Sequence, residues 1–272
     1  MNGIKSIFVA TLLLLTACGT PAQKAPDAAA PKSRLATAEA MFQERCKTAG
    51  EKIYRTAENV EGIFLMKLRP KGINYGDQFK MDDPYGRDLD GEGYIETFVR
   101  GSYELMRPKN PRPGWPPRLG YRYVEALDPK DGMRYRYTGR IDQPWLRDKR
   151  YGEWVREFVL DKVPAPADPP RYGITYDDIS THEERECWIA GSSLKVIDLK
   201  TNEVMAERIG YMMDPGQGDN GGGRSPWLHA ADHACPDFHR FPDPVVVVPG
   251  ASAQIRQAQD FVEKVLKPIL EN

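Results

Sequence analysis

The 272-residue chain is poor in the side chains that most often do chemistry, with 4 histidines and 4 cysteines. It also lacks a surplus of either charge: 38 Lys and Arg stand against 39 Asp and Glu, a net charge of -1. Bulk charge therefore makes no case for nucleic acid or an anionic surface as partner. No G-x-S-x-G elbow occurs, and Ser192-Ser193 fall within a run of strand character, so a serine triad has no visible nucleophile. Past the first residues no apolar run is long enough to cross a bilayer, and no repeat of fixed period is present. Glycine (24) and proline (23) are plentiful, which implies many turns.

The opening, "MNGIKSIFVATLLLLTACGT", is the exception to the lack of apolar runs. Lys5 gives a positive start, Ile7 to Leu15 an apolar core, and Thr16-Ala17 a small-residue exit, the plan of a secretory signal. Leu15-Thr16-Ala17-Cys18 resembles the lipobox of bacterial lipoproteins. The resemblance covers this segment alone. It implies a thiol alkylated with diacylglycerol at Cys18, a cut before it, and an acylated new amino terminus. Membrane attachment through several chains is durable where one chain holds only marginally. Gly19 after the cysteine resembles the pattern exported to the outer membrane in enterobacterial lipoproteins. "GTPAQKAPDAAAPKSR" has nothing to bury and reads as a flexible linker. The expected organisation is a signal over 1–17, a lipidated cysteine and linker over 18–33, and one globular domain over 34–272. The expected location is the outer membrane, facing the periplasm.

With Cys18 lipidated, Cys46, Cys187 and Cys235 remain, and an oxidising compartment favours a disulfide among them. Three pairings exist. Cys46–Cys235 is the expected one, because both cysteines adjoin terminal elements that need fastening. Cys187 reads as part of a strand, a small buried hydrophobe.

Along the chain, "RLATAEAMFQERCKTAGEKIYRTA" has helical spacing, and "VEGIFLMKLRP" and "YIETFVRGSYELM" have strand character. "YRYVEALD" and "MRYRYTGRID" alternate around the turn Pro129 to Gly132, a hairpin that would line up Tyr121, Tyr123, Tyr135 and Tyr137 across strands. "EWVREFVLDKV" and "YGITYDDI" add strands. "CWIAGSSLKVIDLKTNEVMAERIGYMMD" makes a second, longer hairpin turning at Asp198 to Glu203. "VVVV" at 245 to 248 reads as a short strand. "ASAQIRQAQDFVEKVLKPIL" reads as a helix capped by Ser252, with an apolar stripe at 255, 258, 262, 265, 266 and 269. The expected fold class is α+β, an antiparallel hairpin-built sheet with an N-terminal and a C-terminal helix packed on it.

The densest chemistry is "WLHAADHACPDFH", residues 227 to 239. Ser225-Pro226 looks like a helix start, and on that helix His229 and His233 share a face, with Asp232 beside them and His239 returning from the loop. Imidazole and carboxylate so spaced suit a transition metal such as zinc. The spacing fits no established metal motif, and Cys235 cannot be both a disulfide partner and a thiolate ligand. "HEERE", 182 to 186, looks like H-E-x-x-H but has Glu186 for the second histidine and leads into a strand. "GQGDNG", 216 to 221, satisfies G-x-G-x-x-G by letters alone. It reads better as a binding loop: Gly216, Gly218, Asp219, Asn220 and Gly221, with Arg224 as an anion contact and Trp227 beyond. "DLDGEG", 88 to 93, resembles a calcium loop but has Val99 at position twelve.

No complete catalytic constellation emerges and no cofactor is implied. The chain reads as a lipid-anchored binding or scaffolding protein of the cell envelope. Its partners would be the membrane, through its N-terminal lipid, and an envelope protein, cell-wall polymer or small ligand. A metal-binding protein using His229, Asp232, His233 and His239 is the alternative, and a hydrolase assembled by folding is a third reading.

Overall fold

The computed structural model describes residues 31–70, 78–79, 82–86, 91–102, 119–218, 227, 230–238, 254 and 256–270. The fold is α+β, built on a nine-stranded mixed sheet with few helices. Helix α1 (Pro31–Cys46) leads to β1 (Gly50–Ile53), β2 (Ala57–Val60) and β3 (Gly62–Leu65). A short α2 (Glu92–Glu96) precedes β4 (Tyr123–Leu127), β5 (Arg134–Asp142), β6 (Glu157–Pro164) and β7 (Tyr172–Asp178). Then come α3 (His182–Glu186), β8 (Ile189–Asp198), β9 (Glu203–Met213), β10 (Ala234–Cys235), α4 (Gln257–Val265) and β11 (Leu266–Pro268).

The strand order is β1-β9-β8-β7-β3-β4-β5-β6, with β10 on β9, while β11 and β2 form a separate parallel pair. Both expected hairpins form, β4–β5 and β8–β9, each around a polar turn. β3 runs parallel to β4 and to β7, so the sheet is mixed rather than purely antiparallel. Residues between β3 and β4, α2 among them, form the crossover that a parallel pair requires.

One face of the sheet holds the core. Ile63 faces Val124, Leu65 faces Ala126 and Ile174, and Ile174 in turn faces Val196 and, beyond it, Ala206. α4 lays Ala258, Phe261, Val262 and Val265 against this face, all buried with Leu194, Val196 and Ala206. α1 covers part of the opposite face. Ala38 and Phe42 pack there with Ile189, Tyr211 and Met213.

Four expectations need correction. The segment 34–57 is not helical throughout: α1 ends at Cys46, and Gly50–Ile53 pair with β9 as β1. Residues 92–96 form α2 rather than a strand. Tyr94, Ile95, Phe98 and Val99 are all buried, and their spacing fits one helical face better than alternation. The C-terminal helix stops at Val265 and the chain continues as β11, in register with Ala57 and Val60 of β2; Pro268 cannot donate to a helix. The tyrosines of the first hairpin do not make one stripe. Tyr137 and Tyr135 lie opposite Val124 and Ala126 on the core face, whereas Tyr123 is on the other face, 3.8 Å under the Arg136 guanidinium. The segment 245–248 and Ser252 lie outside the described residues.

Candidate functional site: the loop-covered end of the sheet

The cysteine pairing is the first fixed point. Cys46, at the end of α1, is bonded to Cys235 in β10, with Cα atoms 5.5 Å apart. Cys187 is free, and its thiol is pushed up mainly by burial, with Arg34 opposing. Cys187 packs against the same small core of Ala38, Phe42, Ile189, Tyr211 and Met213 that Cys46 and Cys235 flank. Cys187 caps the C-terminal end of α3 instead of lying in a strand.

The segment expected to be a helix from Ser225 onward is something else. Among its described residues Ala230–Asp232 make a single 3-10 turn, closed by His233 N–H to the Ala230 carbonyl at 2.9 Å. The chain then joins the sheet, with Ala234 opposite Met212 and Cys235 opposite Tyr211. Pairing with the free edge of β9 satisfies backbone groups that a one-turn helix would leave open. Asp232 and His233 are therefore not on one face of an α-helix, and His229 and His239 lie outside the described residues. Cys235 has its sulfur in the disulfide. Among the described residues no three His, Cys, Asp or Glu side chains converge.

A second small core holds this segment down. Trp188 and Trp227 are 5.1 Å apart, and Tyr85 and Phe238 are 5.0 Å apart. Ala190, Met212, Ala230, Ala231 and Ala234 fill the space between them. The alanines let the segment lie close to β8 and β9.

The glycine-rich stretch begins as an ordered turn. Asp214 is buried; its Oδ1 accepts the Gly216 N–H at 3.0 Å and its Oδ2 the Gly218 N–H at 3.1 Å. Gly218 has φ +77°, and a Cβ there would lie 1.9 Å from the Trp188 ring. The glycines at 216 and 218 thus serve a turn and a close approach. Trp227 is only 3% exposed. Asp219, Asn220, Gly221 and Arg224 lie outside the described residues.

Sequence reasoning missed a polar seam across the core face. Asp178, Ser192 and Gly210 are neighbours across β7, β8 and β9. Over this row sits Asp83, held in positive φ (48°). Its Oδ2 accepts from Arg69 Nη1 at 2.8 Å and from Ser192 Oγ at 2.9 Å, and its Oδ1 accepts from Gly86 N–H at 3.1 Å. The Arg69 guanidinium stacks 3.9 Å over Tyr176. Next to it, Tyr85 lies where Gly210 leaves room, and burial pushes its phenol up to about 12 against the pull of Arg208. Arg208, also buried, gives Nη1 to the Gln257 carbonyl at 3.0 Å and faces Tyr85 and Phe261. These residues clamp segment 82–86 onto the sheet. Ser192 Oγ donates its hydrogen bond to Asp83 Oδ2. Of the histidines described, His182 is exposed and stacks on Phe79 at 4.7 Å.

"HEERE" is a helix after all, correcting the expectation that it passes directly into strand. Thr181 and Glu184 make a reciprocal cap, with Thr181 N–H donating to Glu184 Oε2 at 2.7 Å. Glu184 also pairs with Arg45 of α1, and Arg185 pairs with Asp178 and gives Nη1 to the Gln78 carbonyl at 3.0 Å. The five residues join α1, β7 and segment 78–79. Compared with family models, with curated proteins and with solved structures, the chain matches none.

Proposed function

We propose that the protein is exported, acylated at Cys18 and held at the membrane, and that its sheet-built body, with a helix toward either end, binds or scaffolds a partner in the cell envelope. The observation that carries this reading is the Cys46–Cys235 disulfide, taken together with the lipobox. A bond between residues 189 apart in sequence suits an oxidising compartment, where such bonds form and persist. The buried groups described above favour binding over catalysis. Ser192, Asp83, Arg69 and Glu184 are all engaged in holding segments together. The contact surface would include the stretch 219–226, which follows an anchored turn at Gly216 to Gly218 and precedes the anchored Trp227.

The test is fractionation of cells producing the full chain or its Cys18→Ala variant. The wild-type chain is expected in the membrane fraction, cut before Cys18 and labelled by radioactive fatty acid, and the variant is expected unlabelled with its leader uncut and outside the cytosol. Full-length chain in cytosol with its leader uncut overturns the reading.

A further inference from the structure

Arg208 lies on the core face of β9, between Leu194 of β8 and Glu51 of β1, and only 3% of it is exposed. A guanidinium so far out of water is costly unless an anion and hydrogen bonds replace the solvent. The acid best placed to answer it is Glu51, its neighbour across the β1–β9 pair. Both Glu51 oxygens instead accept from Lys264 Nζ of α4, at 3.0 and 2.8 Å. Asp83, the nearest acid of the polar seam, is taken by Arg69 and Ser192.

The nitrogens of Arg208 are not treated alike. Nη1 donates to the Gln257 carbonyl at 3.0 Å. Nε and Nη2 are both buried and have no hydrogen-bond partner among the described residues. These two nitrogens form one edge of the planar group, and their parallel N–H bonds match two oxygens of a carboxylate or phosphate. Nη1 thus fixes the fork and leaves its two-pronged edge unpaired. Tyr85 and Phe261 flank the group, with ring centroids 5.4 and 5.7 Å from Cζ. Ring faces attract the charge but offer no lone pair to N–H bonds in the guanidinium plane. The Tyr85 hydroxyl lies over Gly210, the next residue on this face of β9, and is a further donor beside the fork.

We infer that Arg208 and Tyr85 form a buried binding site for a small oxyanion, whose two oxygens take Nε and Nη2 while the Tyr85 hydroxyl donates to one of them. Neither nitrogen reaches solvent, so Tyr85 must move over its glycine floor to admit the anion. That enclosure rules out a polymer or a lipid headgroup. Once inside, the anion is shielded from water, where its pairing with Arg208 is strong. The site is independent of the tether, and a chain found in the cytosol would leave it standing.

The test is calorimetric titration of the purified protein, dialysed free of oxyanions, with inorganic phosphate and separately with acetate. Chloride at matched ionic strength is the control. Phosphate or acetate is expected to bind saturably, one per chain, and to raise the unfolding temperature, while chloride does neither. Which of the two binds tells phosphate from carboxylate. Arg208→Lys keeps the charge without the fork and should weaken binding about tenfold. Tyr85→Phe keeps the ring over Gly210 and should weaken it about threefold; it carries the comparison alone where Arg208→Lys does not fold. No saturable binding of either oxyanion, an equal response to chloride, or an affinity unchanged in the folded variants overturns the inference.

Discussion

Arg69 Nη1 lies 2.8 Å from Asp83 Oδ2, and neither side chain reaches solvent. Two charges so placed are costly to desolvate and strongly coupled once inside. Removing one strands the other. Asp83→Ala is therefore expected to destabilise the fold by about 3 to 5 kcal/mol, measured by urea unfolding. Asp83→Leu combined with Arg69→Met should cost less than the single change. Equal losses would show that the pair is not coupled.

The disulfide closes most of the folded chain. On chain-entropy grounds a loop of this length stabilises by up to about 5 kcal/mol. Cys46→Ser with Cys235→Ser should lower the urea midpoint accordingly, and reductant should reproduce the loss in the wild-type chain. Cys187→Ser should leave the bond intact, as read by thiol counting under denaturing conditions.

Asp198, at the turn between β8 and β9, accepts from Arg171 Nη2 at 2.8 Å and from Arg55 Nη2 at 2.9 Å. The Arg171 hydrogen bond is the main cause of its lowered pKa, with the Lys200 N–H and the charge of Arg55 adding to it. A carboxyl lowered on folding adds stability that is present above its unfolded pKa of about 3.9 and is lost as pH falls through the folded value. Both arginines are half-exposed, so screening limits the effect. Asp198→Asn should cost about 1 kcal/mol at neutral pH, and the difference should shrink below about pH 4. A difference that persists unchanged in acid would contradict the assignment.

Gly218→Ala should destabilise by about 1 to 3 kcal/mol, because the added methyl group has to displace the Trp188 ring and leave a strained backbone. Near-UV circular dichroism of the tryptophans should change with it. Gly132, with positive φ but open space around it, should respond only through its backbone.

The first hairpin could be read from the alternation of Tyr135 to Asp142, and the second from two long strand-like runs, 189–198 and 203–213, flanking a polar turn. The disulfide was legible too, from the position of Cys46 and Cys235 near terminal elements. The short helices were not: α2 and α3 are single turns fixed by burial of Tyr94 and Ile95 and by the Thr181–Glu184 cap, signals too brief for periodicity. β11 was hidden because Leu266 continues the apolar stripe of α4, and only β2 distinguishes strand from helix there. The polar seam was beyond sequence reasoning. Asp83 and Ser192 are 109 residues apart, and nothing local marks either as a partner.

The most direct test of the central claim is the intact mass of the mature chain purified from membranes, with and without reductant. The account predicts a chain that begins at Cys18 and carries acyl groups, gains two hydrogens on reduction, and shows a single free thiol before it. A mass equal to the unprocessed polypeptide from Met1, or one unchanged by reductant, would contradict it.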